Sequence, residues 1–245
     1  MLDGDRGLLV VTARQAGLMP GGLCVVDPAA YRGLRDRLRA DAPSALQRWV
    51  HDNGALIDDV DLQLGPTAVD PKAVHTMRAL LRAETTPAPN GAIPVGPIRA
   101  LAPRLVRAAT AHPMLGTDAL RAELAAVVGA GPGTTPTGDD VIVGVLAGLR
   151  AVGHDAAARR IASRLPELLT GTTRASAHYL SAACRGEFGE HVHDLVAALA
   201  DPASVPAALA QARRWGATSG IDLAHGLAAA ARSDRSVSRP TERIT

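Results

Sequence analysis

The chain has 245 residues, enough for one large domain or two small ones. Hydrophobic residues make up 47% of it and aromatic residues 2%, so Ala, Leu and Val must fill the core, and such small side chains favour close helix–helix packing. A net charge of +2 with so few aromatic side chains argues against nucleic-acid binding, and no apolar run is long enough to span a bilayer.

Strands are predicted near the N-terminus. Residues 7–12 and 22–27 are β-branched runs bounded by Gly and Pro, with "GLMPGG" as a turn between them. A third candidate strand covers 55–64. Residues 31–50 are predicted to form a helix that breaks near Pro43, and "HDN" at 51–53 is predicted to be a turn. The first third of the chain is therefore mixed α/β.

The cysteines indicate a reducing compartment. Cys24 and Cys184 lie far apart in the sequence and have no C-x-x-C spacing, which is typical of buried reduced thiols. The first residues, "MLDGDRGLLVV", lack the basic region of a signal peptide. Together these features predict a cytoplasmic protein.

Helical patterns dominate from residue 71 onward. After a helix over 71–84, four prolines predict a loop over 85–97. Helical spacing then predicts helices over 98–111, 117–128, 139–152, 155–169, 173–184, 190–199, 204–214 and 220–232. The sequence thus predicts an α+β fold, with a small mixed α/β N-terminal part over 1–70, a mostly α-helical domain over 71–232 and a polar tail over 233–245.

The stretch "GAGPGTTPTGDD", residues 129–140, combines flexible and stiff residues ahead of an apolar helix. Its glycines let a ligand approach the backbone, and its prolines stiffen the turn. Thr137 is a candidate N-cap, and Asp139 and Asp140 fall in the first helical turn, where carboxylates suit the positive helix end. The stretch therefore either caps a buried helix or forms a ligand site.

A second stretch repeats this pattern. "TSGIDLAHG", residues 218–226, and "TGDDVIVG", residues 137–144, both contain [ST]-G-x-D-x-x-x-G. A glycine one turn after the aspartate indicates close packing on that helix face. Two such helices can cross at their glycines and bring Asp140 and Asp222 together. The meeting point would suit a small polar or anionic ligand.

The charges of this region limit its ligands. Asp139, Asp140 and Asp222 repel phosphate, so a phosphate ligand would need a divalent cation such as Mg²⁺, an arginine, or carboxylates that are turned away from it. Arg174 and Arg185 are candidates for the arginine. The stretch "GEFGEHVHD" is rich in metal-binding side chains, but His191 and His193 point about 200° apart on a helix. A solvated helix start is therefore favoured there over zinc, and no metal site is predicted.

Three stretches together resemble one bacterial family. "GPGTTPTGDDVIVGVLAGL" resembles the signature G-P-G-x-T-P-[ST]-G-D-D-x-x-x-G-x-L of the AllH-like family, which includes the AllH subunit of oxamate carbamoyltransferase. "TTRASAHYLSAACRGEF" is similar to its T-T-x-x-S and G-E-F segments, and "WGATSGIDLAHGLAAA" to its G-x-T-S-G-x-D-x-x-x-G segment. The resemblance covers about 129–230. This chain departs from the pattern at Thr134, where Leu is usual, and at His225, where a small residue is usual.

The resemblance implies a carbamoyltransferase subunit of nitrogen or purine-degradation metabolism, as in allantoin catabolism, working with partner transferase subunits. It implies catalytic roles for Asp139, Asp140 and Asp222. The residues implied to bind substrate are Gly131, Gly133, Thr135, Thr137, Gly138, Thr173, Arg174, Ser176, Ser219 and Gly220. The alternative is a non-catalytic assembly or metabolite-sensing subunit of such an enzyme.

Overall fold

The computed structural model describes residues 2–4, 7–13, 17–25, 27–40, 62–84, 95–111 and 117–232. The helix predicted over 31–50 is present as far as Ala40, and its remainder lies outside these ranges. Other predictions lie wholly or mostly outside them: the turn at 51–53, the strand over 55–64, the loop over 85–97 and the tail over 233–245. Of the third candidate strand, residues 62–64 are described, and Gln63 forms an isolated antiparallel bridge with Glu187.

Three strands form a small sheet in the order β1–β2–β3. These are β1 (Leu2–Gly4), β2 (Gly7–Ala13) and β3 (Gly22–Val25). β1 pairs with β2 in antiparallel fashion, and β2 pairs with β3 in parallel, with Val11 opposite Leu23. Both predicted strands are confirmed. The predicted turn is also present, since the Gly22 N–H donates to the Met19 carbonyl at 2.8 Å.

The helix α1 (Pro28–Ala40) follows the sheet. Its start is fixed by Asp27, whose carboxylate accepts hydrogen bonds from the N–H groups of Ala29 and Ala30. The buried Leu34 of α1 forms a small apolar cluster with Leu23 and Val25 of β3. This cluster is separate from the main core.

The remaining described chain is largely helical, which confirms the predicted α+β class with a mostly helical body. Its helices are α2 (Pro71–Ala83), α3 (Gly96–Arg99), α4 (Ala102–Thr110), α5 (Thr117–Val127), α6 (Thr137–Ala151), α7 (Asp155–Arg164), α8 (Arg174–Arg185), α9 (Glu190–Ala197), α10 (Val205–Ala212) and α11 (Ser219–Ala230). Short 3₁₀ segments follow α7 (Leu165–Gly171) and α9 (Ala198–Ala200).

Two predicted helices are broken in the structure. The prediction over 98–111 was wrong, because α3 ends at Arg99 and Pro103 occupies the first turn of a new helix, α4. The prediction over 155–169 was wrong beyond Arg164, where a tighter 3₁₀ segment begins at Leu165 with Pro166 in its first turn. In both places a proline suits a first turn but cannot continue an α-helix.

The centre of the core is the pair α6 and α11. Twelve of the fifteen residues of α6 and nine of the twelve residues of α11 are buried. The other helices pack around this pair, and their buried side chains form one large apolar cluster. No helix in the described ranges is both long and apolar enough to cross a membrane.

Segments of the N-terminal part are hydrogen-bonded to the helical body. The N–H groups of Leu64, Thr67 and Asp70 donate to carbonyls of the body at 2.8–2.9 Å. The Phe188 N–H donates to the Leu62 carbonyl at 2.9 Å. The segment 62–70 therefore runs along the helices, and the division of the chain at residue 70 stays a prediction.

Candidate functional site

The helices α6 and α11 lie side by side in the same direction. A Cβ atom built on Gly144 would lie 2.0 Å from the Leu223 carbonyl oxygen, and one built on Gly226 would lie 2.1 Å from that of Val141. Further along, Gly148 faces Leu227. Residues later in α6 contact residues later in α11, so the two helices are parallel and their N-termini are adjacent. The predicted close crossing at the motif glycines is confirmed.

The two motifs bond to each other reciprocally. The hydroxyl of Thr137 in the first motif donates to Oδ2 of Asp222 in the second at 2.9 Å. The hydroxyl of Ser219 in the second motif hydrogen-bonds to the Asp140 carboxyl group of the first. Ser219 also shares a 2.9 Å hydrogen bond with the hydroxyl of Thr135. The predicted N-cap role of Thr137 was wrong: it is the first residue of α6, and its hydroxyl reaches across to α11.

Asp222 is held by an arginine that sequence reasoning missed. Its side chain is fully buried, and its Oδ1 accepts a hydrogen bond from Arg99 Nε at 2.6 Å. Arg99 is itself only 8% exposed. His225, one turn further along α11, stays neutral because burial and the Arg99 charge lower its pKa to about 4. Asp222 is therefore engaged within the protein on both oxygens.

Asp139 is also engaged within the protein. It is buried, and its Oδ1 accepts a hydrogen bond from the Gly129 N–H at 2.9 Å. Its Oδ2 accepts one from the hydroxyl of Thr172. The side chain thus ties the glycine-rich turn to the segment before α8.

Asp140 differs from both other aspartates. Its Oδ2 atom is buried and has no hydrogen-bond partner among the described residues. Burial raises the pKa of Asp140 well above its ordinary value, with hydrogen bonds from Ser219 and Thr135 opposing the shift and the charges of Asp222 and Asp139 adding to it. Of the three aspartates, it alone has a buried carboxylate oxygen without a partner in the part of the chain that the structure describes.

We expect Asp140→Asn to stabilise the protein increasingly as the pH rises. Because the folded-state pKa of Asp140 is raised, the contribution of this group is fully present below its unfolded pKa and is lost as the pH rises through the folded one. The variant should gain about 1 kcal/mol or more at high pH and nothing at low pH. Thermal melting of both proteins across pH measures the difference, and a gap independent of pH would contradict the expectation.

A pocket opens beside Asp140, and we refer to it as the Asp140 pocket. About 410 Å³ of empty space lies between its lining residues, and this figure includes open solvent. Its polar lining residues are Thr135, Asp140, Tyr179, Glu187 and His191. Its apolar lining includes Met19, Pro20, Val143, Phe188, Trp215 and Leu223. None of the described residues that line it is Arg or Lys.

His191 forms one wall of this pocket. Its ring stacks on that of Trp215, with centroids 3.7 Å apart and planes 13° apart. Burial lowers the pKa of His191 to about 3, with the nearby His193 adding to the effect, so the ring is neutral at physiological pH. Its Nδ1 atom is buried and has no hydrogen-bond partner in the described part of the chain. The predicted solvated helix start was therefore wrong at His191.

The other members of "GEFGEHVHD" hold the N-terminal segments. His193 Nε2 bonds to the Leu62 carbonyl at 3.1 Å, and Glu190 Oε2 accepts from the Leu18 N–H at 3.0 Å. Upstream, His178 Nε2 bonds to the Pro20 carbonyl at 2.8 Å. These contacts place Met19 and Pro20 against the pocket.

The predicted substrate-binding glycines have packing roles. A Cβ on Gly138 would lie 1.8 Å from the Val127 carbonyl oxygen, and one on Gly220 would lie 2.1 Å from that of Ala212. Both N–H groups are used, by the carbonyls of Ala130 and Trp215 respectively. Each glycine therefore lets its helix start against the end of the preceding helix. Gly131 and Gly133 have positive φ values of 110° and 101° and shape the turn before α6.

The predicted residues of α8 lie away from the pocket lining. Thr173 caps α8 by accepting from the Ser176 N–H at 3.1 Å, and it donates to the Thr134 carbonyl. Ser176 is buried, whereas Arg174 is exposed. Arg185 is also exposed and pairs at 2.7 Å with Glu187, which lines the pocket.

The carboxylates do not fit a shared Mg²⁺ site. Such an ion takes several oxygen ligands, but Asp139 and Asp222 already accept hydrogen bonds on both oxygens. In the described ranges, no group of three His, Cys, Asp or Glu side chains is placed to hold a metal ion. The two cysteines are free thiols, and burial raises the pKa of Cys184 to about 11.

Comparison with known families gives one match. Residues 127–231 match the sequence model of the family described as oxamate carbamoyltransferase subunit AllH. The match runs from the end of α5 to the end of α11 and so includes both motifs, Asp140, His191 and Trp215. Met19, Pro20 and Arg99 lie outside it. No curated protein and no solved structure matches the chain.

Proposed function

We propose that this chain, whose residues 127–231 match the AllH family model, is a carbamoyltransferase subunit that binds a small substrate in the Asp140 pocket. The observation that carries the proposal is that Asp140 lines this pocket and has a buried Oδ2 atom with no partner among the described residues. A buried polar atom without a partner is costly, so a ligand that satisfies it gains affinity.

Asp139 and Asp222 act in this proposal as positioning residues. Each is bonded on both oxygens by groups of the protein. Asp222 fixes α11 against Thr137, and Asp139 fixes the turn against Thr172. Together they hold the start of α6, and with it Asp140, at the edge of the pocket.

Asp140 is suited to proton transfer. In carbamoyl transfer from carbamoyl phosphate to a substrate nitrogen, an N–C bond forms, the C–O bond to phosphate breaks, and phosphate leaves with the electron pair. The nitrogen must also lose a proton. A carboxylate whose pKa is raised by burial is a better base than an ordinary one, so Asp140 is the acceptor we assign to this proton.

The charge of the pocket indicates which of the two substrates this chain binds and which one a partner subunit binds. Asp140 and Glu187 line it, none of its described lining residues is Arg or Lys, and His191 is neutral. The phosphate of carbamoyl phosphate is therefore poorly matched to this pocket. We assign to this chain the nitrogen-bearing substrate, and to a partner subunit the basic groups that hold the phosphate.

The test is thermal melting of the full chain with oxamate, with carbamoyl phosphate, and with each in the presence of Mg²⁺. We expect oxamate to stabilise the wild type and carbamoyl phosphate to have little effect. Asp140→Asn should weaken oxamate binding by more than about tenfold, or 1.4 kcal/mol. The matched control is Asp118→Asn, which also removes a carboxylate from a first helical turn but at an exposed position of α5.

Equal stabilisation of wild type and Asp140→Asn would place the ligand elsewhere and contradict the proposal. Absence of stabilisation by any of these ligands would favour the alternative of a non-catalytic assembly or sensing subunit. Transfer activity that appears only when a co-purified partner chain is added would support the assignment of the phosphate to a partner subunit.

A further inference from the structure

The connection between β2 and β3 forms one wall of the Asp140 pocket. We refer to residues 17–22 of this connection as the lid. Met19 and Pro20 of the lid line the pocket, and both are buried. The other described lining residues all lie between Thr135 and Leu223, within the helical body. The lid is therefore the part of the wall that comes from outside the body.

Three hydrogen bonds join the lid to the helices beneath it. The Leu18 N–H donates to Glu190 Oε2 at 3.0 Å, and the Glu190 N–H donates to the Leu18 carbonyl at 3.0 Å. His178 Nε2 bonds to the Pro20 carbonyl at 2.8 Å. Losing one such bond changes an opening equilibrium by about fivefold. These bonds can break without unfolding α8 or α9.

The apolar side chains of the lid stand apart from the core. Leu18 and Met19 are each 5% exposed, yet neither belongs to the main core of the described chain or to the cluster of β3 and α1. Met19 lies against Gly189, since a Cβ built on Gly189 would lie 2.6 Å from the Met19 Sδ atom. Burial of these two side chains favours the closed lid, but lifting the lid leaves the core intact.

The lid is held at both ends and contains glycines that allow it to turn. Gly17 and Gly21 have φ values of 71° and 63°, which residues with a Cβ rarely adopt. The Thr12 hydroxyl of β2 donates to the Gly17 carbonyl at 2.6 Å, and Gly22 pairs with Val10 in the sheet. Movement of the lid is therefore confined to the residues between two fixed ends.

From these contacts we infer that the lid opens and closes the Asp140 pocket, and that Glu190 and His178 hold it closed. The inference rests on the proposed function, because such a lid controls the entry of the substrate that we assign to this chain. When the lid lifts, the pocket loses its Met19 and Pro20 wall, and lining residues such as Trp215 gain exposure to solvent. When it closes over a substrate, it excludes water from the reacting groups.

Hydrogen exchange of the Glu190 N–H in the full chain reports lid opening. This N–H lies in the first turn of α9, where it has no acceptor within the helix, and it donates to the Leu18 carbonyl. We expect its exchange to accelerate by about fivefold in His178→Phe, which removes the bond to Pro20. Exchange of the amides in the middle of α6 should not change. The matched control is His75→Phe, at an exposed position of α2, which should alter neither rate.

Acrylamide quenching of Trp215 fluorescence measures access to the pocket without any substrate. Trp49 is the other tryptophan of the chain, so Trp49→Phe leaves Trp215 as the only emitter. In that background we expect Glu190→Ala to raise the quenching constant by about twofold or more. Asp118→Ala should leave it unchanged, because it removes an exposed acidic residue from the first turn of another helix, α5.

Two results would overturn the lid. The first is an unchanged exchange rate in His178→Phe together with unchanged quenching in Glu190→Ala, since the pocket wall would then not depend on these bonds. The second is an equal acceleration of exchange at Glu190 and in the middle of α6, because the whole fold would then open rather than the lid alone.

Titration with oxamate separates the lid from the proposed function. We expect oxamate to slow exchange of the Glu190 N–H in the wild type, since a ligand that prefers the closed state shifts the lid toward it. If the variants open the lid but oxamate neither binds nor slows this exchange, the lid stands and the proposed substrate is overturned. If oxamate binds while the variants leave exchange and quenching unchanged, the proposed function stands and the lid is overturned.

Discussion

Gly226→Ala and Gly144→Ala should each destabilise the protein by about 3 kcal/mol or more, at or above the upper end of the usual range for overpacking. The new Cβ would lie 2.0–2.1 Å from a backbone carbonyl oxygen of the facing helix. A side chain could rotate away from such a clash, but a helix backbone can yield only if α6 and α11 separate. For a chain of this size the melting temperature should drop by about 6–12 °C.

Gly33→Ala is the matched control for these variants. Gly33 also lies inside a helix, α1, but a Cβ built on it meets nothing within 4 Å. Alanine should stabilise the protein there by up to about 1 kcal/mol. If Gly226→Ala melts within about 2 °C of the wild type, the two helices are less tightly packed than described.

Arg99→Met should cost about 3–5 kcal/mol, because it leaves the Asp222 carboxylate buried without its ion-pair partner. Asp222 has no exposed side-chain surface, so water cannot replace the lost donor. The double variant Arg99→Met with Asp222→Asn should recover part of the loss, since an amide carries no charge to compensate. Denaturant unfolding of the two variants and the wild type measures both effects.

Arg104→Met is the control for this prediction. Arg104 pairs with Glu123 at 2.8 Å, but its side chain is 57% exposed. Exposed pairs contribute less than about 1 kcal/mol, so this variant should unfold almost as the wild type does. If Arg99→Met and Arg104→Met lose equal free energy of unfolding, the burial of Asp222 is not the cause of the loss in Arg99→Met.

The helices and their central crossing could be predicted because their signals are local. Helical spacing located most helices of the body, and the repeated [ST]-G-x-D-x-x-x-G frame indicated which two cross. Each frame contains its own small residue and its own aspartate, so the pairing required no knowledge of the rest of the chain. The helix breaks were missed because Pro103 and Pro166 were included within longer helical patterns.

The partners of the aspartates could not be predicted in the same way. Arg99 lies 123 positions from Asp222, in a four-residue helix without a motif of its own. His191 lies among charged residues, a pattern that predicts a solvated position. The stacking of its ring on Trp215, 24 positions later, has no signal in the sequence. The sequence pattern also made Asp139, Asp140 and Asp222 equivalent, whereas their hydrogen-bond partners distinguish Asp140 from the other two.

Met19 and Leu223 face the same pocket from near opposite ends of the described chain. The contact that secures this wall, from the Leu18 N–H to Glu190, joins residues 172 positions apart. During synthesis the N-terminal segment leaves the ribosome long before α9 and α11 exist, so it has no surface on which to dock. The Asp140 pocket is therefore complete only when the chain through α11 has been made, and a product that stops after α9 would lack the Trp215 and Leu223 parts of its wall even where its earlier helices fold.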